Sequence, residues 1–194
     1  LVSDPTEMAN MLTTHWQKVF TRKDISPPAW DLLHNWLSSI PPMEPPAPGS
    51  WNLILEHVQD AIKFSGNSAP GPDGIPYLAW RKLSDVAAPI LLAAAQQLED
   101  PNTIPPIDFN YAFLCCLPKK PVGVDPLIGE VYVPSGTRPL SIVNTDNRLI
   151  ANSYRLVLEP MANAWVSRFQ RGFLPGRSII ANLLDIDFEA MRIS

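Results

Sequence analysis

The chain has 194 residues, of which 46% are apolar, and this is enough to bury one hydrophobic core. Its formal net charge of −4 argues against a protein that binds nucleic acid through overall positive charge. The charge is uneven, because residues 1–109 hold 6 Lys and Arg against 12 Asp and Glu, whereas residues 110–194 hold 9 against 7. We therefore expect any polyanion to bind the second part through local basic groups.

Two adjacent cysteines, Cys115 and Cys116, are the only ones in the sequence. Neighbouring cysteines rarely pair, because the resulting disulfide is strained, and two thiols alone do not complete a zinc site. No apolar run reaches the 18 residues or so that a membrane span needs. These features predict an intracellular protein of a reducing compartment, the nucleus or the cytoplasm, with no membrane partner.

Helical patterns dominate the first half of the chain. The sequence from Asp4 to Glu7 predicts a capped helix start, and Ser26-Pro27 opens a second helix. Ser50 is predicted to cap a third helix. A fourth, over about 85–98, is nearly all apolar, so we expect it to be buried. Prolines concentrate in connectors such as 41–48.

The pattern changes at Phe109. The run Phe109–Leu117 is short, aromatic-rich and followed by proline, which predicts a buried strand. Thr137–Val143 is a second strand candidate, and residues 118–136 form a long hairpin connection. Three helices are predicted to follow: one over about 145–158 that ends at Pro160, a short one over about 161–169, and a last one from Ser178.

Three segments carry residues suited to binding. The glycines of Asn67–Pro76 fit either an ordinary turn or a backbone that nucleic acid approaches closely. An antiparallel hairpin would bring Lys119 and Arg138 to one end, where they suit a triphosphate, although such a pair is also common on solvated surface. In Gln170–Ser178, Arg177 precedes a helix start, where a cation gains nothing from the dipole; it either binds a ligand or reaches solvent.

The acidic residues Asp185, Asp187 and Glu189 are a candidate metal site. The apolar spacing around them is helical, and helix residues two apart point to different sides. We interpret them as exposed helix charges.

The order of the motifs is more specific than any one of them. The chain contains, in sequence, APGPDG, an apolar strand ending in LPKK, RPLSIVNTDNRLIA, and QRGFLPGRS. This series resembles the reverse transcriptases of non-LTR (LINE-type) retrotransposons, which commonly carry APGPDGIP, IPKK, YRPISL and Q-x-GF-x-PGRS motifs in that order. The resemblance covers about residues 50–190.

The resemblance implies an α+β, mainly helical fold: the fingers of a right-hand polymerase with a small antiparallel β-hairpin and an incomplete palm. Residues 1–49 would be an N-terminal helical extension with a proline-rich linker, and 50–194 the fingers and start of the palm, truncated. The parent protein would be an RNA-directed DNA polymerase. Its partners would be an RNA template, a DNA primer, dNTP, and the remaining palm and thumb of the same protein.

The resemblance also assigns binding residues. Those implied to bind the dNTP triphosphate are Lys119, Lys120, Arg138 and Arg177. Those implied to lie near the template are Pro70, Gly71, Pro72, Asp73, Gly74, Gln170, Gly172, Phe173 and Gly176. The connection 118–136 is longer than the family's usual turn, which we interpret as an insertion.

No catalytic residue is assigned, because the family's palm aspartate and its later x-Asp-Asp hairpin have no match in this sequence. The parent enzyme would use Mg²⁺ for nucleotidyl transfer, with none bound by this fragment. We therefore expect the chain alone to bind primer–template weakly and salt-dependently but not to extend it. The alternatives are a catalytically dead remnant acting as a nucleic-acid or protein interaction module, and a helical scaffold. Burial of Trp51, Trp80 and Trp165 in one core would make a scaffold role less needed.

Overall fold

A computed structural model describes residues 1–40 and 49–193. The chain divides into two compact units, each built from separated stretches of sequence. The described part of unit 1 comprises 1–40, 69–74 and 110–144, and that of unit 2 comprises 49–68, 75–109 and 145–193. The proline-rich connector 41–48 lies outside the described residues, so the predicted boundary at residues 49 and 50 stays a prediction.

Unit 1 contains two helices and two small antiparallel sheets. The helices are α1 (Pro5–Phe20) and α2 (Pro27–Ser39), and the strands are β1 (Ala112–Pro118), β2 (Gly123–Asp125), β3 (Gly129–Val131) and β4 (Thr137–Val143). β1 pairs with β4, and β2 pairs with β3 inside the long connection between them. A single 3₁₀ turn, Pro134–Gly136, leads into β4.

Local chemistry explains where α1 begins. The carboxylate of Asp4 accepts hydrogen bonds from the main-chain N–H groups of Thr6 and Glu7, at 3.0 and 2.9 Å. Pro5 occupies the first helical position, where its missing N–H costs nothing. The predicted capped start is therefore confirmed, and the predicted helix opened by Pro27 is also present.

The predicted strand Thr137–Val143 is confirmed with the same bounds. The other strand begins at Ala112 rather than at Phe109, and the prediction that it is buried is wrong, because Phe113 and Leu117 are 53% and 48% exposed. An apolar run fits either a covered or an uncovered strand. Here it belongs to a sheet of only two strands.

Unit 2 is helical and contains the hydrophobic core. Its helices are α3 (Leu55–Lys63), α4 (Tyr77–Lys82), α5 (Ser84–Leu98), α6 (Thr145–Trp165) and α7 (Ile180–Ile193). The core residues are Leu53, Val58, Ala61, Ile62, Tyr77, Ala88, Leu91, Ala95, Leu149, Ile150 and Val157. They come mainly from α3, α5 and α6. The loop between α6 and α7 is therefore attached to a helix that belongs to the core.

Two helix starts differ from the sequence prediction. The third helix does not begin at Ser50: a turn intervenes, in which Asn52 N–H donates to Gly49 O, and α3 starts at Leu55. There His57 Nδ1, in the first turn, accepts from Ile54 N–H at 3.3 Å, and no side chain caps the first-turn N–H groups of α3. The last helix starts at Ile180, two residues after the predicted start at Ser178.

Two other helix predictions are wrong. α5 is not fully buried, since Val86 and Ile90 are 65% and 62% exposed while only its opposite face joins the core. α6 continues through Pro160 to Trp165, where two helices were predicted. A proline removes one helical hydrogen bond. The buried residues of α6, which include Leu149 and Val157, all precede Pro160, and the helix continues beyond it to Trp165.

Candidate nucleic-acid interface

The β1–β4 pairing determines where the predicted triphosphate ligands lie. Leu117 is directly opposite Arg138, and the pairing continues one step further because Lys119 N–H donates to Gly136 O at 3.0 Å. Lys119 lies two residues after Leu117, so it shares a face with Arg138 as a diagonal neighbour, about 7–8 Å away in backbone position. The prediction that an antiparallel hairpin brings Lys119 and Arg138 to the same end is confirmed for the backbone, and their joint role in binding stays a prediction.

The side chains at this end are exposed and basic. Lys119, Lys120 and Arg138 are all exposed. Within residues 1–40 and 49–193, no salt bridge joins any of them to an acid. Lys120 lies beyond the end of β1, at a bend, so strand alternation does not assign its side chain to a face. Lys119 and Arg138 therefore form a cationic pair on one face, which we call the hairpin-end pair.

The start of β4 is fastened to α1. Trp16 Nε1 donates to Thr137 Oγ1 at 3.1 Å, and Thr137 Oγ1 donates to Pro134 O at 2.7 Å. Thr137 is buried although it precedes the exposed Arg138. No local sequence signal predicts this contact, because Trp16 and Thr137 are 121 positions apart.

The APGPDG segment is a tight turn held against the other end of β4. Gly74 N–H donates to Gly71 O at 3.0 Å, and Asp73 N–H donates to Asn144 Oδ1 at 3.1 Å. Gly71 is buried, and a Cβ there would lie 2.5 Å from Asn144 Cα. Gly74 has a φ of +72°, which favours glycine. The glycines are thus explained by turn geometry and close packing.

The turn and the hairpin-end pair lie at opposite ends of the same strand. Asn144 follows β4 directly, whereas Arg138 is its second residue. Six residues of extended chain separate them by about 20 Å, at about 3.3 Å per residue. The predicted template residues Pro70, Gly71, Pro72, Asp73 and Gly74 are therefore distinct from the hairpin-end pair within unit 1.

Arg177 belongs to unit 2, where its guanidinium is surrounded by oxygens. Nε donates to Asn163 Oδ1 at 2.8 Å. The remaining donors reach main-chain carbonyls of Asn163, Val166, Ser167 and Gln170 at 2.6 to 3.1 Å. All five N–H groups of the side chain are used in this way. The cation caps the C-terminal end of α6, where the helix dipole favours it. The predicted triphosphate role of Arg177 stays a prediction.

The loop between α6 and α7 presents Phe173 to solvent. Phe173 is fully exposed and has a φ of +63°, an unusual value for an aromatic residue. Gln170 Nε2 donates to Gly172 O at 3.3 Å, and Gly176 has a φ of +70°. These residues, with Arg177, form one compact loop.

Another tie missed from the sequence connects α4 and α6. Thr145 is fully buried; its hydroxyl accepts from Trp80 Nε1 and donates to Ile75 O, both at 2.7 Å. A buried hydroxyl that both donates and accepts a hydrogen bond makes the structure around it more rigid. The start of α6 is fixed in this way.

The acidic residues of α7 do not fit a divalent-metal site. They are exposed on a helix, as predicted. Asp185 is bonded to Arg171 at 2.5 Å and Glu189 to Arg192 at 2.9 Å. In residues 1–40 and 49–193, His, Cys, Asp and Glu side chains form no group of three or more that could hold a metal ion. The Mg²⁺ assigned to the parent enzyme stays a prediction.

Comparison with known proteins gives one distant similarity, to a transposon-encoded protein. The chain is 23% identical over 188 residues to the Transposon TX1 uncharacterized 149 kDa protein of Xenopus laevis. The match covers 94% of this chain but only 13% of that protein. No protein-family profile matches the chain. None of the helices in the described residues has the length and apolar character of a membrane span. The similarity supports a retrotransposon origin.

Proposed function

We propose that the chain is part of the fingers of a retroelement reverse transcriptase. The proposal rests on the motif order, on the distant similarity to a transposon-encoded protein, and on the hairpin-end pair. Its central claim is that Lys119 and Arg138 bind the triphosphate of the incoming dNTP. The turn Pro70–Gly74 and the loop containing Gln170, Gly172, Phe173 and Gly176 would lie near the template.

The geometry of the hairpin-end pair carries this proposal. A guanidinium binds two phosphate oxygens at once, and an ammonium adds a point charge nearby. The two groups are on one face of an antiparallel ladder, so both can reach one triphosphate. Because neither is engaged in a salt bridge within the described part of the chain, no internal acid has to be displaced.

A nucleotide titration tests the proposal. The affinity of the chain for a fluorescent dATP analogue would be measured by anisotropy with and without Mg²⁺. We expect Arg138→Gln to weaken binding about tenfold or more, since a charge-assisted hydrogen bond contributes about 1.5–3 kcal/mol. Lys119→Gln should weaken it less, because a single point charge is lost. Equal affinity of Arg138→Gln and wild type would overturn the assignment.

Lys82→Gln is the matched control, because Lys82 is an exposed cation on α4 in unit 2. It removes the same charge from the chain at a residue outside β1 and β4. If it weakened binding as much as Arg138→Gln does, the effect would be one of net charge.

The enzymatic claim concerns the parent protein. Lys and Arg neutralise phosphate charge but do not replace metal ions that activate the primer hydroxyl. We expect no primer extension when the chain is incubated with primed RNA template, dNTPs and Mg²⁺. Extension above background would contradict this expectation.

A second candidate function is a retroelement remnant that acts as an interaction module. The observation in its favour is exposure of large apolar side chains: Trp51 and Trp165 are 39% and 50% exposed, while Trp80 is partly buried against the core. The three tryptophans do not share one core. Failure of the wild-type chain to bind either dNTP or primer–template would favour a protein partner over the polymerase assignment.

A further inference from the structure

We propose that a cavity where α6 ends and α7 begins binds a phosphate group. The cavity has a volume of about 280 Å³ and is lined by Arg168, Arg171, Gly176, Arg177, Ser178 and Ala181. It lies wholly within unit 2. Its lining shares Gly176 and Arg177 with the loop predicted to lie near the template and the dNTP, but it does not include the hairpin-end pair. The inference rests on the charge and donors of this cavity and not on the polymerase assignment.

The charge of the cavity favours an anion. Three arginines line it, and the one acid that forms a salt bridge with any of them in the described residues is Asp185, which pairs with Arg171. The formal balance of these four groups is +2. Three cations brought together repel one another. A bound anion would relieve this repulsion, and a dianion would balance the charge.

Arg171 has donor capacity left over. Its Nη2 donates to Asp185 Oδ2 at 2.5 Å, and its Nε donates to Arg168 O at 3.4 Å. Its Nη1 is buried and has no hydrogen-bond partner among the residues that the structure describes. A buried donor without an acceptor costs free energy. A small shift of the guanidinium toward a ligand oxygen in the cavity would give this donor an acceptor.

The other two arginines have different roles. Arg168 is exposed, and its guanidinium lies 4.8 Å from the centre of the Phe169 ring, which orients it while leaving it accessible. All five N–H groups of the Arg177 guanidinium already donate to oxygens of α6 and the following loop. Arg177 therefore contributes positive charge and part of the cavity wall, but no further hydrogen bond. Arg168 and Arg171 are therefore the expected ligands.

The start of α7 adds a third contribution. Ser178 and Ala181 line the cavity, and α7 begins at Ile180. The N–H groups of Ala181 and Asn182 donate to the carbonyls of Ser178 and Ile179, so the start of α7 contributes the partial positive charge of its dipole rather than free donors. Guanidinium groups beside a helix N-terminus suit a tetrahedral oxyanion with several acceptor oxygens. The ligand class is thus a phosphate, either free or within a nucleotide or nucleic-acid backbone.

Binding measurements on the full chain distinguish these sources. One arm titrates inorganic phosphate and the other titrates a single-stranded oligothymidylate, both by calorimetry at low salt. Arg168→Gln and Arg171→Gln should each weaken binding about tenfold in at least one arm. A change in the phosphate arm identifies a free anion as ligand, and a change in the oligonucleotide arm alone identifies a backbone phosphate.

Asp185→Asn provides a test with the opposite sign. Removing the acid leaves Arg171 uncompensated, so phosphate should bind a few-fold more tightly. Loss of a merely structural salt bridge would not improve binding. Arg192→Gln is the matched control, because Arg192 is an exposed arginine on the same helix that pairs with Glu189. It should leave both affinities unchanged.

Arg168→Lys keeps the charge at an exposed position, and it should retain most of the binding that Arg168→Gln loses. The proposal is overturned if wild type binds neither probe, or if Arg168→Gln and Arg171→Gln both bind like wild type while circular dichroism shows them folded. Arg138→Gln should leave phosphate binding at this cavity unchanged. Failure of the dNTP assignment and failure of the cavity proposal therefore give different results.

Discussion

Replacing Gly71 with alanine should destabilise the chain by about 2–4 kcal/mol. The added Cβ would lie 2.5 Å from both Cα and Oδ1 of Asn144, where ordinary carbon contacts are about 3.5–4 Å. The Asn144 Cα belongs to the main chain directly after β4, so it cannot rotate away as a side-chain atom could. Either the turn or the strand end has to move by about 1 Å.

The magnitude combines two costs. Forcing an extra carbon into a packed site costs about 1–3 kcal/mol. The displacement also breaks or stretches the hydrogen bond from Asp73 N–H to Asn144 Oδ1, now 3.1 Å, and this costs about 1 kcal/mol. The sum is a large part of the stability of a typical domain.

Urea unfolding followed by tryptophan fluorescence would measure the change, with two glycines as controls. Gly66→Ala adds a Cβ to open space at an ordinary φ, so it should be neutral or stabilise by up to about 1 kcal/mol. Gly74→Ala also meets open space but keeps a φ of +72°, and it should cost about 1–2 kcal/mol. From most to least stable, the expected order is Gly66→Ala, Gly74→Ala and Gly71→Ala.

Equal stability of Gly71→Ala and Gly66→Ala would refute the packing argument. If Gly71→Ala were also normal in stability but defective in primer–template binding, the glycine would serve close approach of nucleic acid instead. The experiment therefore separates the two interpretations that the sequence alone leaves open.

Two further predictions concern hydroxyl groups, that of the buried Thr145 and that of the half-buried Tyr154. Thr145→Val should lower the free energy of unfolding by about 1–3 kcal/mol, because it removes the hydrogen bonds to Trp80 and Ile75, and Thr145→Ser should recover most of this in the same urea titration. Burial raises the pKa of Tyr154 above its ordinary value of 10.0, and the hydrogen bond to Glu99 raises it further. The folded state then holds the phenolic proton more tightly than the unfolded state does. This group should therefore leave stability unchanged below pH 10 and lower it as the pH rises above 10. Urea unfolding midpoints of Tyr154→Phe, measured across this pH range, should lack that part of the fall.

Features decided by neighbouring residues were predictable from the sequence. The capped start at Asp4-Pro5 and the strand Thr137–Val143 follow from local propensity. The meeting of Lys119 and Arg138 follows from antiparallel pairing once two strands are recognised. Each depends on residues close in sequence or on a single register.

Features decided by distant contacts were not predictable. Pro160 normally ends a helix, but α6 continues beyond it to Trp165, and Arg177 from the following loop bonds the carbonyls of Asn163 and Val166 at that end. Arg177 precedes a helix start in sequence, yet its guanidinium turns to the end of the preceding helix, at Asn163. The tie between Trp80 and Thr145 joins residues 65 positions apart, and neither residue type signals the other.

The hydrogen bond from Trp16 to Thr137 bears on how far the amino-terminal helices can be treated as dispensable. Thr137 immediately precedes Arg138. The indole of Trp16 in α1 therefore helps to hold the start of the strand that carries this arginine. A shortened chain beginning at Ser50 would keep every motif of the resemblance and lose this support. Trp16→Phe reproduces the loss of the bond without removing the helix. The surface around Arg138 therefore depends on more than the motifs of the resemblance. It also depends on α1, a segment in which the sequence shows no motif.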